Sequence, residues 1–214
     1  MLSTAPSAQT ISLSLFTKDQ NGITVTYNTF DTNLPKTYGN TLYVWEADTP
    51  VVPWQNIKNF VGSTTIGQDT YIDTQRIDFP YEVGKGYVVG YAVAPDPNAT
   101  CASLFIPAND APTGSKSLTI SFGGLAPGAV SINYNGLDQY NPSTNGNWIG
   151  IWNGPRALYD GSFQAAANIP YANSSGSVGL QTQLLVGATY TVGYFMVKMD
   201  YGKTSLASQV TFNT

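Results

Sequence analysis

The residues able to do chemistry are few, and their scarcity is the first constraint on function. The 214-residue chain contains no histidine and one cysteine, Cys101. Without imidazole no Ser-His-Asp triad, Cys-His dyad, His-ligated zinc or His-ligated haem can be built. One thiol makes neither an internal disulfide nor a thiolate metal cluster. What remains for acid–base work is a pair of carboxylates, as in glycoside hydrolysis. Asp31 and Asp138 recur in matching loops, while Glu46, Glu82, Asp160 and Asp200 stand singly. Recurrence ahead of a proline reads first as loop shaping by an Asx-type turn. No glycine-rich phosphate loop joins a strand to a helix. Oxygen donors for calcium reduce to Asp96-Pro97-Asn98 and Asp110, without the dense spacing of a calcium loop. The chain is therefore expected to be non-enzymatic and to need no cofactor, with a carboxylate-based hydrolase as the remaining catalytic alternative.

Aromatic side chains are the other candidates. Trp45, Trp54, Tyr140, Tyr159 and Tyr201 lie in or beside loops rich in Asn, Gly and Pro. A flat apolar face next to amide groups can stack on a sugar ring. Trp148 and Trp152 alternate with Ile149 and Ile151, so if the isoleucines face a core the tryptophans do not. The expected ligand-binding set is Trp45, Trp54, Tyr140, Trp148, Trp152 and Tyr159. For Trp45 and Trp152 the packing role of a core aromatic is the favoured reading. The segment Tyr190–Val197 is apolar on both faces, with Phe195 and Val197 on the second, which predicts a cover from a loop, another domain or another subunit.

These residues are carried by a sequence suited to strands. Charged residues make up 10% of the chain and aromatics 13%, with Gly, Asn, Ser and Thr filling most other positions; the Glu and Lys that write helix surfaces are sparse. The net charge is −4 with 9 Lys+Arg, so no basic stripe exists to neutralise a phosphate backbone and no nucleic-acid partner is expected. No apolar run of about 18 residues is present to span a bilayer as a helix. The first residues, Met1–Gln9, lack a charged and an apolar region of the signal-peptide kind. The expectation is a cytoplasmic protein, or one released without a visible signal peptide.

An internal repeat organises the whole chain. Ile23–Trp45 aligns without a gap on Val130–Trp152, with 8 identities in 23 positions, and Val83–Tyr91 aligns on Val186–Tyr194 with 6 in 9. The copies run from 9 to 107 and from 116 to 214, joined by a short linker over 108–115. In each copy the apolar period is two, as in Ile11, Leu13 and Leu15, Ile23, Val25 and Tyr27, or Tyr87, Val89 and Tyr91. Six or seven such strands per copy, parted by turn residues, predict an all-β chain of two tandem antiparallel β-sandwich domains. Phe163–Ala167 reads as one helical turn at most.

Two phrases resemble known families. Leu185-Val-Gly-Ala-Thr-Tyr190 looks like the tyrosine corner of fibronectin type III and immunoglobulin folds, with Tyr87 as its counterpart in the first copy. Pro142 followed by Trp148-Ile-Gly-Ile-Trp152 resembles the third strand of the N-terminal domain of purple acid phosphatases and of the SKICH domain. The first copy departs from it, with Thr41 in place of Trp148 and Tyr43 in place of Gly150. These resemblances imply an Ig-like or fibronectin-like sandwich and no activity. The loop aromatics, the low charge and the few carboxylates leave three functional expectations, in this order: a lectin-like recognition protein for a glycan or cell-surface ligand, with a toxin or defence role as its variant; a structural protein that self-associates into an oligomer, fibre or inclusion; and a carboxylate-based hydrolase.

Overall fold

The computed structural model describes residues 6–109, 113–159, 162–199 and 204–214. Along the chain it places β1 (Ser7–Thr10), β2 (Ser12–Asp19), β3 (Gly22–Asn28), β4 (Thr41–Glu46), β5 (Gly62–Thr65), β6 (Ile72–Asp78), β7 (Tyr87–Ala92), β8 (Thr100–Ile106) and β9 (Lys116–Ser117). The second copy supplies β10 (Thr119–Ala126), β11 (Ala129–Asn135), β12 (Trp148–Asn153), β13 (Ala165–Asn168), β14 (Ser175–Gln181), β15 (Thr189–Phe195) and β16 (Leu206–Asn213). Helical structure among the described residues is limited to two single 3-10 turns, Trp54–Asn56 and Pro97–Ala99. None is long and apolar enough to cross a membrane. The expected helical turn near Phe163 is instead β13, because Ala165–Asn168 can pair with β12 in register with Ile151–Trp148.

Two compact units result. The first comprises Ile11–Ser117 with Leu137–Gln139; the second takes residues 6–10, 118–136 and the rest of the chain from Tyr140. In the first, β2-β3-β6 forms one sheet and β5-β4-β7-β8-β9 the other. In the second, β10-β11-β14 opposes β1-β16-β15-β12-β13. Among the described residues every pairing is antiparallel, and the chain is an all-β protein of two antiparallel β-sandwiches. The period of two sets the core: Ile23, Val25 and Tyr27 on β3, and Ile132 and Tyr134 on β11, are buried between sheets.

The recurring residues are structural fixtures. Gly39 and Gly146 both adopt the left-handed backbone, at φ of 67° and 66°, that closes the turn begun by Pro35 and Pro142. The next residue, Asn40 or Asn147, returns its N–H to the proline carbonyl at 2.8 and 3.0 Å. Its fully buried side chain accepts the hydroxyl of Tyr91 at 2.8 Å in the first unit and of Tyr194 at 2.9 Å in the second. The tyrosine corner is present in both: the Tyr87 oxygen accepts the Glu82 N–H at 3.0 Å, and the Tyr190 oxygen accepts the Leu185 N–H at 2.9 Å. The backbone is the donor in each, so the phenol satisfies a turn N–H.

Candidate functional site

The candidate site is built on the loop that follows β4. Tyr43 and Trp45 alternate with the core residues Leu42 and Val44, so they emerge on the outer face of the sheet, opposite Gly90 and Val88 of β7. That face is not left to water. The chain from Ala47 to Val61 folds back over it, with Phe60 against Tyr43 at 5.1 Å between ring centres and the Trp45 indole N–H donating to the Ile57 carbonyl at 2.8 Å. Val52 and Ile57 are buried beneath the loop. The ring of Trp45 thus fixes the loop from below.

Above this floor lies an open cleft of about 560 Å³, lined by Glu46, Ala47, Asp48, Thr49, Val51, Val52, Pro53, Trp54, Gln55, Asn56 and, from the same compact unit, Gln139. Trp54 opens the 3-10 turn, its indole N–H donating to the Asp138 carbonyl at 2.7 Å, while its ring is half-buried at the cleft wall. Glu46 is held by Lys85 at 3.1 Å, and Lys85 also pairs with Glu82 at 3.1 Å. Hydrogen bonds to Glu82 and then Glu46 push the lysine ammonium further up from its usual range. The lining therefore combines one indole, three amide side chains, a hydroxyl and two carboxylates. Such a set can bind hydroxyl groups by paired donors and acceptors around one stacking surface. The other unit has a smaller hollow of about 340 Å³ beside Ser143, Gly146, Asn168 and Lys198, at a different place in the repeat.

The six aromatics expected to bind ligand divide sharply. Trp54 lines the cleft. Trp45, Tyr140, Trp148 and Trp152 are 2% exposed or less, and Tyr159 is buried as well, so none presents a ring face for stacking. The reason is the loop after β12, which covers the outer face as its counterpart does in the first unit. Phe163 packs on Trp148 and Trp152 with ring centres 5.7 and 6.1 Å away, and Phe195 stacks on Trp148 at 4.1 Å and 10°. The Trp148 indole N–H donates to the Val197 carbonyl at 2.9 Å. Phe195, expected at an interface, is covered by its own unit, and Val197 is half-buried beside it.

The remaining candidates are placed as follows. Asp138 is ion-paired with Lys116 at 2.5 Å. Asp96 caps its 3-10 turn, accepting the Asn98 N–H at 2.9 Å, which is a turn-forming role. No cluster of three or more potential metal ligands exists among the described residues. Asp110, Asp160, Asp200 and Tyr201 lie outside the described residues. Cys101 is buried, and burial pushes its thiol well up. Reading the sequence alone missed Asp48, Thr49, Gln55, Asn56 and Gln139. The signal that could have found four of them is the run Asp48–Asn56, polar and proline-punctuated around Trp54.

No protein-family model and no characterised protein matches the chain in sequence. Among solved structures it is similar to a two-domain fibronectin type III segment from chicken tenascin, at 11% identity and a TM-score of 0.29, covering 96% of this chain and 100% of that one. It is also similar to the BSP domain of a biofilm-associated protein, at 13% identity and 0.28, covering 87% of this chain but only 27% of that one. A DUF3823 family protein from Bacteroides uniformis matches at 9% identity and 0.30, over 85% and 90% of the two chains. None of the three is a purple acid phosphatase or a SKICH domain. At such scores these likenesses add nothing to what the strand order already shows.

Proposed function

We propose that the protein is a non-catalytic recognition module that binds a polyhydroxylated ligand, a glycan, in the cleft above β4. The observation that carries this reading is Trp54, the one tryptophan of four left on a solvent-open wall, set among Gln55, Asn56, Gln139 and Thr49. Sugar recognition needs a stacking face and short-range donors and acceptors in one place, and this loop offers both. Glu46 is tied to Lys85. It therefore serves as an orienting acceptor, and a bound glycan is released intact.

A glycan array followed by calorimetry tests the proposal. Saturable binding that Trp54→Ala abolishes, with the oligosaccharide unchanged in mass afterwards, is the expected result. Absence of saturable binding across the array, or binding indifferent to Trp54→Ala, overturns it. Cleavage of the ligand that stops in Glu46→Gln would instead establish the hydrolase.

A further inference from the structure

The first strand of the chain does not join the unit into which the chain continues. β1 pairs with β16 in the register Gln9↔Gln209 and Thr10↔Ser208, and one residue later, after Ile11, β2 enters the first unit against β3. The second copy does the reverse. β9 pairs with β8 as Lys116↔Ser103 and Ser117↔Ala102, and one residue later, after Leu118, β10 enters the second unit against β11. Ser208 and Ala102 face Tyr194 and Tyr91 in their own sheets, so the two registers are equivalent. Each copy's leading segment therefore closes the last strand of the other copy's sandwich.

The junctions are made alike. The Thr10 hydroxyl donates to the Leu118 carbonyl and the Ser117 hydroxyl to the Ile11 carbonyl, both at 2.5 Å, and Ile11 and Leu118 are buried. β1 is further fixed by the Ser208 hydroxyl donating to the Gln9 carbonyl at 3.0 Å and by the Gln9–Gln209 side-chain pair. Yet all four residues of β1 are exposed, so it contributes ladder hydrogen bonds and almost no apolar burial. A four-residue edge strand that buries none of its own side chains opens at low cost compared with the core. Opening it bares β16, whose Leu206, Val210 and Phe212 are already held in the core and keep the edge in shape for another strand.

We propose that β1 is an exchangeable closure: it leaves its own β16 and pairs with β16 of a second copy of this chain in the same register, joining copies by strand exchange. The occupant is specified by what the edge already selects. It takes a polar extended segment with Gln opposite Gln209 and Thr opposite Ser208, followed at once by a buried apolar residue, and another copy offers that same segment. Because each copy keeps one donor and one acceptor, exchange gives reciprocal dimers or open chains.

Cross-linking through introduced cysteines tests this, in chains whose native Cys101, buried and free, is replaced by alanine. Gln9→Cys and Gln209→Cys chains are mixed, incubated and oxidised, with Gln9→Cys plus Gln181→Cys as the off-register control, since Gln181 lies exposed on β14. The expected result is a mixed disulfide-linked dimer whose yield rises with concentration and exceeds the control several-fold. The double variant Gln9→Cys/Gln209→Cys, oxidised when dilute, should lock within one chain and stay monomeric in sedimentation at concentrations where the unmodified protein associates. A mixed-dimer yield no higher than the control overturns the proposal, as does a double variant that fails to close within one chain. Neither outcome touches the Trp54 cleft, whose glycan binding is read separately.

Discussion

Removing a single hydroxyl should separate the two units energetically. Tyr194 donates to Asn147 Oδ1 at 2.9 Å, and the other end of that amide donates to the Met196 carbonyl at 2.8 Å. Tyr194 and Asn147 have no exposed surface. Tyr194→Phe keeps the ring, which lies 6.0 Å from Tyr134, so apolar burial is unchanged and the loss is confined to one hydrogen bond and one stranded amide oxygen. Stranding a buried acceptor costs about 1–3 kcal/mol. The equivalent change in the first unit, Tyr91→Phe, strands nothing, because Asn40 Oδ1 also accepts from the Asn33 side chain at 2.8 Å. Only the net worth of one bond is lost there, about 1 kcal/mol. The second unit should therefore lose about 1 kcal/mol more than the first, or roughly 4–8 °C in midpoint for a domain of 60–100 residues. The assay is hydrogen exchange followed on peptides from each unit across a urea series, since two units need not unfold together. Equal losses, or a larger loss from Tyr91→Phe, would refute the reasoning.

Trp54→Ala should abolish glycan binding while shifting the unfolding midpoint of the first unit far less than Trp45→Ala, which removes a ring at 1% exposure; calorimetry and thermal unfolding on the same samples check both. Gly90→Ala places a Cβ 2.7 Å from the Trp45 ring and 2.8 Å from Thr100, and Gly150→Ala places one 2.9 and 3.0 Å from Trp152 and Trp148. Each should destabilise its unit by about 1–3 kcal/mol, read by urea unfolding. Asp19 is held below the usual carboxylate range chiefly by the hydrogen bond from Arg76, and Asp69 by those from Thr37. A depressed carboxylate lends stability that is lost as pH falls through its folded value, so the first unit should weaken below about pH 4. At the alkaline end burial pushes the Tyr194 phenol well up, so the second unit should lose stability as pH rises past about 10. A pH series of melts, flat from about 5 to 9 and falling at both ends, checks this.

The two-sandwich architecture was legible because its determinants are local and occur twice. A period of two, a Pro-to-Gly turn and a tyrosine ahead of a strand each fix backbone by short-range sterics, and each copy corroborates the other. The leading segments were not legible. Gln9-Thr10 and Lys116-Ser117 carry no apolar pattern, and what fixes them on β16 and β8 is edge hydrogen bonding with contacts such as Gln9–Gln209 and Ser117–Ile11, which leave no periodicity in the sequence.

Five of the six aromatics expected to bind ligand are buried, and the tryptophans of β12 show why. Alternation puts Trp148 and Trp152 on the face opposite Ile149 and Ile151, and for Trp148 the step from outside the sandwich to exposed to ligand is the one that fails, while the packing role favoured for Trp152 fits its burial. That step does not follow, because a sheet has an outer face that its own loops can cover. The sequence difference between the copies shows the covering to be a packed layer. Where the second unit sets Trp148 and Trp152 around Gly150, the first sets Tyr43 in the glycine's place and Thr41 in the tryptophan's, moving one ring along the strand so that a space beside the last tryptophan stays filled. A solvent-exposed pair of rings would need no such compensation. Trp54 stands in a loop with no matching tryptophan in the second copy, and it alone of the four tryptophans is half-buried at a cleft wall, outside that packed layer.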